Sequence, residues 1–161
     1  MMGKEFLKLS IFFMAMVCTL MCTFAPNTIA MGIPTHAAVP EQPFADLTAQ
    51  EVKEGTGAQV KRGDDIQTHY RGILASNGKQ FDSSYDRGEP LMFKIGAGEV
   101  IRGWDKGILG YKSIKGLRVG GKRILYIPAN MAYGSHGAGD DIPPNSDLIF
   151  EVELVSILED F

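Results

Sequence analysis

Val100-Ile101-Arg102-Gly103-Trp104 is the stretch on which the fold of this chain turns, and it holds the only tryptophan. Val100, Ile101, Trp104 and Ile108 recur at nearly helical spacing, which predicts a short helix with one apolar side. Gly98 and Glu99 predict its start, because glycine is tolerated at an N-cap and an acid suits a first turn. Gly110 predicts its end. A lone tryptophan on an apolar helix face is, by itself, a core anchor. Its neighbours in sequence widen that reading: Phe81-Asp82-Ser83-Ser84 precedes it, and Ala132-Tyr133-Gly134 and Ile142-Pro143-Pro144 follow.

On the N-terminal side, Ile66 to Leu74 alternates. Ile66, Thr68, Tyr70, Gly72 and Leu74 fall on one side, and Gln67, His69 and Arg71 on the other, which predicts a half-buried strand. Ser76-Asn77-Gly78-Lys79 predicts a hairpin turn, since Asn-Gly tolerates positive φ. Lys79 to Ser83 then reads as the return strand, Tyr85 to Pro90 as a loop, and Leu91 to Ile95 as a further strand. A first strand is predicted near Leu47 to Val52. On the C-terminal side, Gly107 to Gly116 is less regular. Lys122 to Ile127 alternates as a strand and stops at Pro128, and Ala129 to Asn145 reads as a long loop. Leu148 to Val155 closes the chain as a strand with Glu151 and Glu153 on its wet face. Strands of antiparallel appearance with one short helix predict an α+β domain, a sheet packed on a helix.

The chain has 161 residues and a formal net charge of −3, enough for one domain with a real core. The acidic balance and the lack of a basic patch with interleaved aromatics give no nucleic-acid partner. Gly116 to Lys122 approximates a phosphate-binding loop, but Arg123 stands where a Ser or Thr should follow, and the next segment reads as a strand. Gly96-Ala97-Gly98 lacks the third glycine of a dinucleotide fingerprint. His36, His69 and His136 are far apart and have no metal-ligand spacing, so no metal and no cofactor is expected. Ser135-His136 lacks the elbow of a hydrolytic serine.

The N-terminus reads as a separate object. Lys4 and Lys8 precede an apolar run from Leu9 to Ala25, and small-residue sites follow, which describes a secretory signal over residues 1–30. Residues 31–45 read as a flexible lead-in and residues 46–161 as the domain. Cys18 and Cys22, the only cysteines, lie inside the signal segment. The expected location is outside the cytoplasm, with a bacterial periplasm favoured over an organelle lumen. A membrane association is expected only if the N-terminal segment stays uncleaved.

His69-Tyr70, Phe81-Asp82-Ser83-Ser84, Asp86-Arg87, Glu99 to Trp104, Val119 to Arg123, Ala132-Tyr133-Gly134, Ile142-Pro143-Pro144 and Leu148 to Leu154 stand in one order. That order and spacing resemble the FKBP-type peptidyl-prolyl cis-trans isomerases, over about residues 47–158. The resemblance implies a twisted antiparallel sheet wrapped around the helix of Trp104, with a pocket between the two. It implies Tyr70, Asp82 and Tyr133 as catalytic residues. Phe81, Arg87, Leu91, Val100, Ile101, Trp104, Ile142 and Phe150 are implied as substrate-binding, with Trp104 the floor. It further implies that the Ile101 N–H and the Tyr133 hydroxyl donate to ligand carbonyls, and that Tyr70 and Arg87 hold Asp82. The implied partners are proline-containing polypeptides and macrolide immunosuppressant-type ligands. Leu91 stands where an aromatic is common, Ala138 and Asp141 depart from usual loop residues, and Gly110 to Gly116 is extra material. These departures bear on substrate preference and drug affinity. Two other readings compete: a non-catalytic holding module of the same fold, and a subunit of a membrane complex.

Overall fold

The computed structural model describes residues 43–158, which lie within the compact unit Met31–Phe161. The expected signal segment and most of the lead-in lie outside the described residues. No helix among the described residues is long and apolar enough to cross a membrane.

Six strands form one antiparallel sheet: β1 (Thr48–Lys53), β2 (Asp65–Leu74), β3 (Gln80–Ser83), β4 (Leu91–Lys94), β5 (Lys122–Ile127) and β6 (Leu148–Leu158). Their spatial order is β1-β5-β6-β2-β3, and β4 pairs with the first half of β2, beyond the reach of β3. The helices are a single turn, α1 (Ser84–Arg87), and α2 (Arg102–Leu109). This is the expected α+β arrangement.

The alternation in β2 places Ile66, Thr68, Tyr70, Gly72 and Leu74 on the buried side. Tyr70, Leu74, Trp104, Ile108, Leu125, Phe150 and Val152 share the main core between sheet and α2. A smaller cluster of Ile73, Ala75, Ile124 and Ile149 lies on the opposite face, covered by Phe44, Val52 and Tyr126. Strand β5 is paired on both edges, with β1 and β6, and its two faces lie under the two apolar clusters, so Arg123, Ile124 and Leu125 are buried in succession.

Three elements differ from expectation. Helix α2 begins at Arg102, not at Gly98, because Ile101 is extended (φ −59°, ψ 149°) and serves as the N-cap. Residues Ser84–Arg87 form a helical turn, not a loop, closed by Gly88 in the left-handed region (φ 76°) with its N–H on the Tyr85 carbonyl. Strand β6 runs past Val155 to Leu158. Gln67 pairs with Ser156 but Thr68 with Leu154, so Val155 is an extra residue and the strand resumes beyond the bulge.

Helix and sheet meet through two glycines one turn apart. A Cβ on Gly103 would sit 2.4 Å from Ile127 Cγ2, and one on Gly107 would sit 2.7 Å from Leu125 Cδ1. Alanine would favour the helix itself by roughly 0.5–1 kcal/mol, whereas overpacking a tight core costs about 1–3 kcal/mol. The second effect wins here, because Leu125 and Ile127 are fully buried and have no room to withdraw. Gly107→Ala is therefore expected to lower stability by about 1–2 kcal/mol, read as a lower urea midpoint at unchanged slope. An unchanged or raised midpoint would mean that the helix can lift from the sheet at no cost.

Candidate active site

A cleft of about 410 Å³ opens between α2 and the sheet. It is lined by Tyr70, Phe81, Asp82, Leu91, Glu99, Val100, Ile101, Trp104, Tyr133 and Phe150. Trp104 lies at its base, only 3% exposed. Tyr70 and Phe150 meet the indole edge-on, with ring centroids at 5.1 Å and 5.3 Å, and Phe93 tilts against it at 5.7 Å. Phe81 in turn stands edge-on to Phe150 at 5.5 Å. These contacts leave one face of a packed aromatic cluster as the cleft surface, so a ligand would meet rigid apolar walls.

The backbone before α2 explains why Val100 and Ile101 reach the cleft. Trp104 N–H and Asp105 N–H both donate to the Ile101 carbonyl, so the helical ladder starts there. The Ile101 N–H precedes that ladder and has no acceptor among the described residues. A second donor is the Tyr133 hydroxyl, which stands on a segment between two short 3-10 turns and likewise has no partner among the described residues. Burial raises the Tyr133 phenol, and the nearby Asp82 charge raises it further, so at neutral pH it keeps its proton and can donate.

Asp82 sits in a three-residue cluster. The Tyr70 hydroxyl donates to one carboxylate oxygen and Arg87 Nη1 to the other. Arg87 Nη2 donates to the Tyr70 oxygen at 2.7 Å, and the Ser83 N–H donates to Asp82 at 2.8 Å. Partial burial pushes the Asp82 carboxyl up, but the hydrogen bonds from Tyr70 and Arg87 outweigh it and hold the group below the ordinary carboxylate range. Burial and then Asp82 raise the Tyr70 phenol. At neutral pH the cluster is therefore a carboxylate, a neutral phenol and a guanidinium. The α1 turn aims Arg87 back at Asp82. Its buried Ser84 anchors that turn to β2 by accepting the Tyr70 N–H at 2.8 Å.

Of the residues singled out from sequence, nine line the cleft: Tyr70, Phe81, Asp82, Leu91, Val100, Ile101, Trp104, Tyr133 and Phe150. Arg87 does not, and touches the site through Asp82 and Tyr70. Ile142 does not line it either. Its backbone exchanges two hydrogen bonds with Ala138, and its side chain is buried in the main core. Glu99 is in the lining but was expected only as an acid at a helix start. Its carboxylate instead accepts the Lys94 N–H at 2.9 Å. Its position directly before Val100 and Ile101 was the available signal.

A family model described as FKBP-type peptidyl-prolyl cis-trans isomerase matches residues 56–155. This chain belongs to that family. FK506-binding protein 1A of Neurospora crassa is 48% identical over 119 residues, covering 74% of this chain and 92% of the relative. An FK506-binding protein of Neisseria meningitidis serogroup B is 49% identical over 113 residues, covering 70% and 97%. Among solved structures, AtFKBP13 superposes with a TM-score of 0.67 at 47% identity, over 70% of this chain and 93% of that one. FkpA from Escherichia coli superposes with a TM-score of 0.59 at 43% identity, over 69% of this chain but only 47% of that one. The family comprises peptidyl-prolyl isomerases, and with it this chain is assigned as an enzyme of that class.

Proposed function

We propose that the cleft over Trp104 binds X–Pro segments and speeds rotation about the X–Pro bond by desolvation and hydrogen bonding, with no covalent step. The observation that carries this reading is the pair of unspent donors, Ile101 N–H and Tyr133 hydroxyl, on an otherwise apolar cleft with a buried indole at its base. Proline suits such a cleft because its ring is rigid and apolar. The two donors supply hydrogen bonds to carbonyls on either side of it and so orient the segment.

The magnitudes are consistent with so modest an apparatus. The amide barrier is roughly 18–20 kcal/mol, and unaided isomerisation takes about 10–100 s. A turnover of about 10–1,000 per second requires only about 3–7 kcal/mol of barrier reduction. The planar amide separates charge between oxygen and nitrogen through resonance, and the twisted amide loses that separation. Walls of Trp104, Phe81, Phe150 and Val100 solvate the planar form poorly and penalise the twisted form less. Asp82, held by Tyr70 and Arg87, fixes the polar side of the cleft and keeps the Tyr70 ring against the indole.

FK506-type macrolides are proposed as ligands of the same cleft, on the strength of the relatives' names. Export, and assistance to the folding of exported proteins, is proposed from the Lys4 and Lys8 flank and the apolar run that follows. Cell fractionation with N-terminal sequencing tests it: recovery of the chain in the cytoplasm with Met1 intact would refute export, whereas an intact Met1 on membrane-bound protein would favour an uncleaved anchor.

The direct test is cis-to-trans isomerisation of short X–Pro peptides by the full chain, beside Tyr133→Phe. The parent chain is expected to catalyse. The variant, which loses one donor and no packing volume, is expected to fold normally with kcat/KM reduced about tenfold, the worth of one hydrogen bond of about 1–1.5 kcal/mol. Undiminished kcat/KM in a folded Tyr133→Phe chain would remove the hydroxyl from the mechanism. A folded parent chain with no catalysis would leave the holding module as the function.

A further inference from the structure

The lining of the cleft is electrostatically one-sided. Among its ten residues only Asp82 and Glu99 are charged, and both are acids. Asp82 is neutralised where it stands, by Arg87 and by the Tyr70 hydroxyl. Glu99 is not. One carboxylate oxygen accepts the Lys94 N–H, and the other accepts no hydrogen bond among the described residues. No cation forms an ion pair with it among those residues, and the neighbouring cations are engaged elsewhere. The Lys94 ammonium is 2.7 Å from Asp65, and Arg62 Nη1 donates to the Gly96 carbonyl at 2.8 Å. Arg102, three residues along the chain, is exposed and makes no ion pair with Glu99.

An exposed carboxylate on a residue that borders an apolar cleft does little for the bond rotation itself. It acts on whatever side chain the bound segment places beside it. We propose that Glu99 is a specificity-determining residue that favours segments carrying lysine or arginine next to the proline and disfavours those carrying an acid there. The inference rests on the isomerase reading and adds a substrate class to it. Cation and carboxylate would meet at the wet mouth of the cleft, where such pairs are individually weak and screened by salt. Swapping a cation for an anion on the substrate counts the effect twice, as a gain lost and a repulsion added. A purely structural Glu99, serving only to hold the Lys94 N–H at the end of β4, would affect stability and leave substrate charge without influence.

The experiment measures kcat/KM of the full chain on two sets of short peptides at low salt. One set carries Lys, Gln or Glu immediately before proline, and the other carries the same residues immediately after it. In at least one set the order Lys, Gln, Glu is expected, with a Lys-to-Glu ratio of about five- to tenfold. That ratio is expected to shrink towards one in about 0.5 M salt. In Glu99→Gln the ratio is expected to collapse at low salt, and in Glu99→Lys to invert. Glu99→Ser replaces the glutamine variant should that one not fold. The readout is a ratio, so a general change in activity cancels. A parent chain indifferent to peptide charge in both sets overturns the inference while leaving the isomerase reading intact. So does a ratio that survives in Glu99→Gln and Glu99→Ser. Absence of turnover on all peptides, the Gln set included, overturns the isomerase reading and this inference with it.

Discussion

A Trp104→Ala chain is expected to melt about 10–15 °C below its parent and to lose proline-peptide binding. The stability loss follows from packing. Truncating a buried tryptophan or phenylalanine to alanine costs about 3–5 kcal/mol. Here the indole is 3% exposed and meets three aromatic rings, each contact worth about 0.5–1.5 kcal/mol beyond its area. One opposing effect trims the figure. The indole N–H is buried without a hydrogen-bond partner among the described residues, and such an orphan costs about 1–3 kcal/mol. Removing the indole removes that penalty, so the net loss falls near 3 kcal/mol, the low end of the range.

The same accounting separates Trp104→Phe from Trp104→Ala. Phenylalanine keeps an aromatic face against Tyr70 and Phe150 and discards the orphaned donor. It is expected to cost about 1 kcal/mol or less and to retain measurable binding. The check is thermal denaturation of both variants, followed by peptide titration well below the lower midpoint. Parental affinity in a folded Trp104→Ala chain would show that the indole is core alone and not the floor of a site. A Trp104→Phe chain as unstable as Trp104→Ala would show that the N–H is satisfied in solution and is not a cost.

Much of this site was legible because its residues repeat a period or occupy a turn. The two-residue alternation of Ile66 to Leu74 put Tyr70 on the buried face, and Asn77-Gly78 marked the hairpin that brings Phe81 and Asp82 beside it. The spacing of Val100, Ile101, Trp104 and Ile108 found the helix but misplaced its start. Val100 and Ile101 are apolar because they line a cleft from an extended segment, and periodicity cannot distinguish that from a helix face. The turn Ser84–Arg87 was invisible for a related reason, since four residues are too few to express a period. Ile142 was expected in the wall by resemblance; it shares the apolar core of Tyr70, Trp104 and Phe150 but stands outside the cleft lining. Glu99 was read for its suitability near a helix start. Its place in the cleft follows from the extended backbone that sequence did not reveal. The second apolar cluster was missed because Ile73, Ile124 and Ile149 belong to strands judged one-sided, and their covering by Phe44, Val52 and Tyr126 is set by sheet order.

Arg123 is the residue whose importance sequence hid most. In the sequence it served only as a misfit in a phosphate-loop pattern. In the fold it is 2% exposed on a central strand. Its Nη1 donates to the Gly107 carbonyl at 2.5 Å, inside α2, and to the Lys115 carbonyl at 2.8 Å. Its Nη2 lies 2.6 Å from Glu51 on β1. One guanidinium therefore ties β1, β5, α2 and the segment that follows α2 together. Burial lowers its pKa, and Glu51 offsets part of that effect.

Arg123→Leu is expected to cost about 2–4 kcal/mol, because it strands the buried Gly107 carbonyl, weakens the hold on the part-buried Lys115 carbonyl and removes the contact that joins three elements. Leucine cannot reach either carbonyl, so the buried Gly107 carbonyl bears its desolvation cost, while water can reach the part-buried Lys115 carbonyl. Glu51→Gln should be far milder, at about 1 kcal/mol or less. Glu51 is 51% exposed, so water replaces it, and the amide oxygen can still accept from Nη2. The asymmetry between the two partners is the measurable point, and paired urea denaturation curves of the two variants provide it. Equal losses would mean that the ion pair itself dominates, and that the bonds to Gly107 and Lys115 contribute little. Arg123 is absent from the lining of the Trp104 cleft. Below its lowered midpoint, Arg123→Leu should therefore bind proline peptides with nearly parental affinity. Lost affinity there would mean that the tie through Gly107 also sets the position of α2 over the cleft.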